Sequence, residues 1–135
     1  MISKCRILKF NKIEDSRGNL TPIENGGDLP FILNRIYYLY DVPGGSVRGS
    51  HAHKKLHQII IALSGSFDIS IDDGNTTAEY HLNSPSLGLY LCPMIWRGLK
   101  NFSSGSVCLV LASDTYDESD YIRDYSTFLK ALLTL

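Results

Sequence analysis

Residues 45–65 read GSVRGSHAHKKLHQIIIALSG and hold three of the four histidines of the chain. Alternate residues of an extended strand share a face, so His51 and His53 are predicted to project together while Ala52 points the other way. The apolar run that follows, Ile59 to Leu63, is far shorter than the roughly 20 residues that cross a bilayer, and it is typical of a buried strand. This stretch therefore predicts a β-structure that carries paired imidazoles.

The same pattern of short apolar runs broken by turn residues continues outward, from Ile2 to Thr115. The predicted strands are Cys5–Phe10, Asn19–Glu24, Asn34–Tyr40, Ser50–Lys54, His57–Ser64, Phe67–Ile71, Thr76–Leu82, Leu87–Leu91, Ile95–Leu99 and Val107–Ser113. About ten short strands indicate an all-β sandwich or barrel. The tail differs, because its apolar residues between Asp120 and Leu135 fall at helical spacing with Asp120 near the start. One terminal helix packed on the barrel is predicted.

Length and charge limit the possible functions. The chain has 135 residues, and we expect a single domain over residues 1–135. Its 13 Lys and Arg against 14 Asp and Glu give a net charge of −1, so no global field favours a nucleic acid or an anionic membrane. The three cysteines lack a C-x-x-C spacing, and no continuous apolar signal segment opens the chain. A cytoplasmic protein with reduced thiols is expected.

Two imidazoles on one strand face have three interpretations. Imidazole has an unperturbed pKa of about 6.5, which suits proton transfer at neutral pH without a metal. His51 and His53, with His57 as a further candidate ligand, could instead bind a divalent metal. In the third interpretation the histidines are hydrogen-bonded structural residues of the barrel.

Arginines are candidates for binding an anionic substrate. Arg48 precedes His51 by three residues, and Arg17, Arg35 and Arg97 occupy turn or strand positions that a barrel can bring to the same mouth. The guanidinium fork suits phosphate oxygens. These residues predict a local site for a phosphorylated ligand.

Aromatic residues near this segment could also take part. Tyr37 and Tyr38 alternate on the preceding strand, so one of them should face inward. A buried phenol can donate a hydrogen bond to a developing enolate. Trp96 offers a stacking face for a base or a sugar, and core packing is the alternative for this side chain.

A known spacing surrounds the histidines. It consists of Gly45, five residues, His51-Ala52-His53, four residues, Gln58, six residues and Gly65. This resembles the first motif of the cupin superfamily, in which the two histidines and a Glu at the position of Gln58 bind a metal. Here an amide replaces that carboxylate, and residues 88–98, which correspond to the second cupin motif, contain no histidine. Both departures weaken the metal interpretation.

Several further strings occur in order along residues 13–128. They are Arg17-Gly18-Asn19-Leu20, Pro30-Phe31, Arg48-Gly49-Ser50-His51-Ala52-His53-Lys54, Ser84-Pro85-Ser86, Pro93-Met94-Ile95-Trp96 and Tyr116-Asp117-Glu118-Ser119-Asp120-Tyr121. Together they closely resemble the sugar 3,4-ketoisomerases, which are small cupin enzymes that act on dTDP-4-keto-6-deoxyglucose. The resemblance implies a jelly-roll fold and a place in the biosynthesis of dTDP-linked 3-amino sugars for surface polysaccharides or glycosylated metabolites.

The resemblance also implies roles for individual residues. His51 would be the base at C3, His53 its acid/base partner, and Tyr37 a third catalytic participant. Substrate binding would fall to a second set of residues, namely Arg17, Arg48, Gln58, Trp96 and Arg97. It implies no metal and no other cofactor, and a homodimer as the assembly.

Three other functions remain open from the residues alone. A metal-dependent cupin enzyme would use the histidines as ligands. A nucleotide-sugar 3,5-epimerase would also abstract a proton in a cupin barrel. A non-catalytic cupin would bind the sugar and leave it unchanged.

Overall fold

Two antiparallel five-stranded sheets form the frame of the structure, a computed structural model that describes all 135 residues. The elements are β1 (Arg6–Lys9), β2 (Ile13–Asp15), β3 (Gly18–Leu20), β4 (Arg35–Leu39), β5 (Arg48–His53), β6 (Gln58–Ser64), β7 (Phe67–Asp72), β8 (Thr77–Leu82), β9 (Leu87–Leu91), β10 (Trp96–Lys100), β11 (Val107–Ala112), β12 (Tyr121–Ile122) and α1 (Tyr125–Leu132). Short 3-10 turns cover Ile2–Lys4 and Glu118–Asp120.

The first sheet has the strand order β1-β9-β6-β11-β4, and the second has the order β12-β5-β10-β7-β8. The side chains between the sheets belong to a core cluster of 20 buried residues, to which β6 contributes Ile60 and β7 contributes Phe67 and Ile69. Two sheets packed over one apolar core make the double-sheet jelly roll. The predicted all-β cupin fold with a short terminal helix is confirmed.

The amino-terminal region differs from the predicted strand Asn19–Glu24. Residues 16 and 17 form a tight turn, and Gly18, with φ of +131°, begins a strand that pairs back onto Ile13–Asp15. A positive φ at this position suits glycine because it has no Cβ. The result is a separate two-stranded hairpin, β2–β3, followed by residues 21–34 without a strand.

The carboxyl-terminal helix starts later than the sequence pattern predicts. Asp124 is the N-cap residue, and its side chain accepts a hydrogen bond from the Thr127 N–H at 2.9 Å. Residues 121–122 instead form β12, which pairs with β5. The prediction of helical structure from near Asp120 was wrong for residues 121–122, because backbone pairing with the edge of the second sheet fixes them as a strand.

The outer face of the first sheet is incompletely covered. Tyr37 points inward, so Ile36 and Tyr38 lie on the opposite face, where they are 56% and 58% exposed. Leu63 on β6 is 48% exposed, and the hairpin β2–β3 carries exposed Ile13 and Leu20. Neither the α-helix nor the two 3-10 turns has the length and apolar character of a membrane span.

Candidate active site

The paired histidines lie on β5 in the second sheet. As alternation predicts, His51 and His53 share a face, and their Nε2 atoms are 3.1 Å apart. Ala52 points the other way into a small apolar cluster with Phe128 of α1 and is fully buried. His53 is also fully buried, whereas His51 is partly exposed and lines a cavity of about 290 Å³.

A β-bulge brings Arg48 to the same cavity as His51. In a regular strand, residues three apart point to opposite faces. Here β5 pairs through Arg48 with Leu99 and through His51 with Arg97, so two residues of β5 oppose the single Gly98 of β10. Gly49, with φ of +70°, is the first residue of the bulge. The inserted residue reverses the alternation and aims both side chains into one space.

A buried polar cluster forms the floor of this cavity. Arg97 of β10 donates from Nη1 to Gln58 Oε1 at 2.5 Å and from Nε to the Ile95 carbonyl at 3.1 Å. Gln58 Nε2 in turn donates to the Tyr37 hydroxyl oxygen at 3.0 Å. The Arg97 Nη2 atom is buried and has no hydrogen-bond partner. The guanidinium is thus buried beside the cavity without a carboxylate to compensate its charge.

Burial sets the protonation states of these groups. It lowers the pKa of His51 to about 3 and also depresses the pKa of His53, and the nearby Arg97 charge acts in the same direction. Burial raises the pKa of Tyr37, which keeps the phenol protonated. Although burial lowers the pKa of Arg97 to about 10, its guanidinium stays cationic at neutral pH. The cavity therefore combines a neutral imidazole that can accept a proton, that of His51, with a phenol and a cation that can stabilise an oxyanion.

The segment that precedes α1 supplies site residues that sequence reasoning missed. The Tyr121 ring centroid lies 5.0 Å from that of His51 and 4.3 Å from that of His53. The Arg123 guanidinium stacks 4.2 Å above the Tyr121 ring and pairs with Glu118 at 2.7 Å. Tyr121 and Arg123 both line the cavity. The polar and aromatic residues 116–121 were the signal that could have placed this segment in the site. The helical spacing of the apolar residues that follow instead assigned its end to the predicted helix.

Asp120 is a further site residue that the sequence analysis did not assign to the site. Its Oδ2 lies 3.1 Å from His53 Nδ1. Both residues line a second, more polar cavity of about 250 Å³, which shares only Tyr121 with the first. The histidine pair therefore links the two cavities. His51 lines the first cavity, and His53 lines the second, where it contacts the Asp120 carboxylate.

Some predicted site residues lie elsewhere. Trp96 is on the opposite face of β10 from Arg97, because neighbours on a strand alternate, and it packs against Tyr125 and Phe128. The structure places Trp96 beneath α1 and outside the cavity, which corresponds to the core-packing alternative. Arg17 lies at the turn of the hairpin β2–β3, is exposed, and pairs with Asp15 at 2.8 Å. Within one chain the structure does not bring Arg17 to the cavity.

The third clustered histidine does not join the other two. His57 Nδ1 lies 2.7 Å from the Tyr90 hydroxyl, and its ring contacts Phe31. No group of three or more His, Cys, Asp or Glu side chains has an arrangement that could hold a metal ion. The residues that converge are a histidine pair, a phenol and arginines.

Comparison with known proteins finds similar sequences over nearly the whole chain. The sequence model of the family described as "FdtA: WxcM-like, C-terminal" matches residues 3–132. The chain is 49% identical over 125 residues to the TDP-4-oxo-6-deoxy-alpha-D-glucose-3,4-oxoisomerase of Aneurinibacillus thermoaerophilus, which covers 93% of this chain and 90% of that relative.

Solved structures with a similar fold also include 3,4-ketoisomerases. The H51N mutant of the 3,4-ketoisomerase QdtA from Thermoanaerobacterium thermosaccharolyticum, in complex with TDP-4-keto-6-deoxyglucose, has a TM-score of 0.94 at 44% identity and covers 97% of this chain and 95% of that one. The WlaRB TDP-quinovose 3,4-ketoisomerase from Campylobacter jejuni has a TM-score of 0.91 at 46% identity, with coverage of 96% and 99%. The resemblance that the sequence motifs indicated is confirmed: the chain belongs to the FdtA, WxcM-like family, among the cupin-fold sugar 3,4-ketoisomerases.

Proposed function

We propose that this protein moves the keto group of TDP-4-keto-6-deoxyglucose from C4 to C3 through an enediolate, in the biosynthesis of TDP-linked 3-amino sugars. One observation carries the proposal: the neutral imidazole of His51 faces a cavity whose floor holds a buried, uncompensated Arg97 cation. A base beside a fixed positive charge suits the removal of a proton next to a carbonyl. The names of the relatives supply the substrate.

The reaction needs no external oxidant or reductant. His51 removes the C3 proton, and the electrons of the C3–H bond form the C3=C4 double bond while the C4 oxygen becomes an oxyanion. Arg97 and the Tyr37 hydroxyl stabilise this negative charge. The oxyanion gains a proton, the C3 hydroxyl loses one, and C4 receives a proton through the histidine pair. One keto group is consumed and one is formed, so the atoms and electrons balance without a metal or a redox cofactor.

The arginines around the cavity suit a nucleotide sugar. Arg48 and Arg123 both line it, and we assign them to the diphosphate because guanidinium forks bind phosphate oxygens in pairs. Gln58 contributes by holding both Tyr37 and Arg97. A few local cations are sufficient for this ligand although the whole chain carries a net charge of −1.

We also propose a homodimer. Exposed Ile36, Tyr38 and Leu63 form an apolar surface on the first sheet, and a second copy of the chain is the occupant with the same uncovered apolar surface. At the turn of the hairpin β2–β3, the Arg17 side chain is 88% exposed and lies outside the cavity of its own chain. The proposed substrate-binding role of Arg17 therefore depends on reaching the neighbouring copy.

A cytoplasmic location is proposed on the chemistry of the cysteines. Cys5, Cys92 and Cys108 are all free and buried. A reducing compartment keeps such thiols unpaired. This assignment is consistent with an activated nucleotide sugar as the substrate.

Incubation with TDP-4-keto-6-deoxyglucose in deuterated water, followed by NMR of the recovered sugar, tests the function. We expect a 3-keto product with solvent deuterium at C4. The His51→Asn variant should bind TDP and leave the sugar unchanged. Deuterium at C5 would instead identify an epimerase, and binding without any isomerisation would identify a binding protein. Loss of activity with a chelator, restored by a divalent metal, would overturn the metal-free mechanism.

A further inference from the structure

Asp120 is fixed against the turn that follows β5 by several contacts. Its Oδ2 contacts His53 Nδ1 at 3.1 Å, and its Oδ1 accepts a hydrogen bond from the Lys55 N–H at 2.8 Å. Its backbone carbonyl accepts from the Lys54 N–H at 2.9 Å. The Asp120 side chain is only 15% exposed, and that of His53 is fully buried. The carboxylate therefore has little freedom to turn away from the imidazole.

This contact determines where the proton of His53 lies. An ionised carboxylate only accepts hydrogen bonds, so His53 must carry its proton on Nδ1. A neutral His53 then has a lone pair on Nε2, which accepts a hydrogen bond from His51 Nε2, 3.1 Å away. His51 in turn must carry its proton on Nε2, which leaves its Nδ1 as the basic nitrogen. The carboxylate thus selects the tautomers of both imidazoles.

We propose that Asp120 is a positioning residue of the isomerase, which sets the tautomers of His53 and His51 so that His51 Nδ1 is the atom that accepts the C3 proton. The inference rests on the proposed function. When the C3–H bond breaks, its electron pair enters the enediolate, and an N–H bond forms on His51. The resulting imidazolium donates from Nε2 to His53, whose Nδ1–H remains bonded to Asp120. The negative carboxylate lowers the free energy of this charged pair although it touches neither the substrate nor His51.

The variant Asp120→Asn tests this role with little change in shape. The Lys55 N–H requires an oxygen on its side, so the amide NH₂ of the variant faces His53 Nδ1 and donates to it. His53 is then forced into the Nε2–H tautomer, and the His51 tautomer reverses with it. We expect kcat to fall by roughly 10²- to 10⁴-fold, as for a misoriented catalytic imidazole, while KM changes by less than about threefold because no substrate contact is lost.

Histidine ¹⁵N NMR of the protein without substrate reports the tautomers directly. The tautomers would not change in the variant if Asp120 only stabilised the fold. The wild type should show Nδ1–H on His53 and Nε2–H on His51, and Asp120→Asn should show Nε2–H on His53. The matched control is Asp114→Asn, an exposed carboxylate that lines the same second cavity and contacts neither histidine. It should retain wild-type kcat and wild-type tautomers.

Two results would overturn the inference. One is a wild-type His53 protonated on Nε2, which can be observed even if the Asp120 variant does not fold. The other is an Asp120→Asn protein with kcat close to that of the wild type. A wild-type protein that does not isomerise the sugar would contradict the proposed function instead, and the tautomers are measured independently of that outcome.

Discussion

Gln58 has a chemical reason to be an amide. It donates to Tyr37 and accepts from Arg97, and only a side chain with both functions can do so. A carboxylate at this position would neutralise the buried guanidinium and would take the Tyr37 hydroxyl as its own donor. Both changes would withdraw stabilisation from the oxyanion. The departure from the cupin metal motif thus serves the proton chemistry.

The variant Gln58→Glu is therefore expected to fold and bind TDP but to isomerise poorly. Loss of one charge-assisted hydrogen bond to the oxyanion, about 1.5 to 3 kcal/mol, corresponds to a fall in kcat of roughly 10- to 100-fold. Steady-state kinetics together with thermal unfolding separate this effect from misfolding. Wild-type turnover in a folded Gln58→Glu protein would exclude a role for the uncompensated Arg97 charge.

The buried histidines also make stability depend on pH. Burial holds the pKa of His51 and His53 far below the unfolded value of about 6.5. Below pH 6.5 the unfolded chain therefore binds protons that the folded chain does not, and stability falls as the pH falls. Each such group contributes up to about 1.4 kcal/mol per pH unit.

Urea unfolding between pH 7.5 and pH 5 is expected to show this decline. The slope should be smaller in His51→Asn, which lacks one of the titrating groups. Carboxylates with a lowered pKa, such as Glu118, lose their contribution only at more acid pH. A stability that stays constant down to pH 5 would contradict the assignment of neutral, buried imidazoles.

At the scale of single residues, the sequence predicted the side chains that lie on strands. His51 and His53 share one strand face because alternation fixes their direction, and the same rule requires that one of Tyr37 and Tyr38 face inward, which is Tyr37. The rule also separates Trp96 from Arg97, although the sequence prediction assigned both to the substrate. Asp120 and Arg123 could not be placed in this way, because their position depends on pairing between segments far apart in the chain.

Among the elements, the bulge in β5 has the largest effect on the site. Gly49 has φ of +70°, and a Cβ built there would lie 3.0 Å from Leu99 Cδ1 and 3.7 Å from His51 Cε1. Any larger residue strains the backbone and crowds the Leu99 side chain, and its Cβ would be in van der Waals contact with the catalytic imidazole. Gly49 therefore determines both the geometry of β5 and the direction of the His51 side chain.

The variant Gly49→Ala is expected to lose about 1 to 2 kcal/mol of stability through the left-handed backbone conformation, and to lose kcat as His51 shifts. Gly44→Ala is the matched control, because its Cβ meets nothing within 4 Å and its φ is not positive. Chemical unfolding and turnover assays check both variants. If both alanine variants behave alike, the bulge does not constrain the site.

Prediction of the elements worked best where apolar periodicity was the only signal. The eight predicted strands from Asn34 onward, together with the first, correspond to observed strands with shifts at their ends. The two misassigned regions are the hairpin β2–β3 and β12, whose strands are only two or three residues long. The helical spacing of apolar residues in α1 continues into β12, so the sequence pattern predicted a helix there instead of a strand.

For the whole molecule, the exposed apolar surface predicts dimerisation. Sedimentation velocity should show a dimer for the wild type and a shift toward monomer for Tyr38→Glu, because a charge would have to be buried in the interface. Thr77→Glu, exposed on the edge strand β8 of the other sheet, should remain dimeric. A monomeric wild type would remove both the proposed assembly and the proposed role of Arg17.

The pairing of β12 with β5 joins residues that are synthesised far apart in time. His53 and Asp120 are separated by 67 positions, so a nascent chain carries both imidazoles long before the carboxylate that orients them leaves the ribosome. A chain that ends before Asp120 contains both imidazoles but lacks the carboxylate that sets their tautomers. Turnover therefore reports that synthesis of the chain has passed Asp120, whereas a folded histidine pair alone does not.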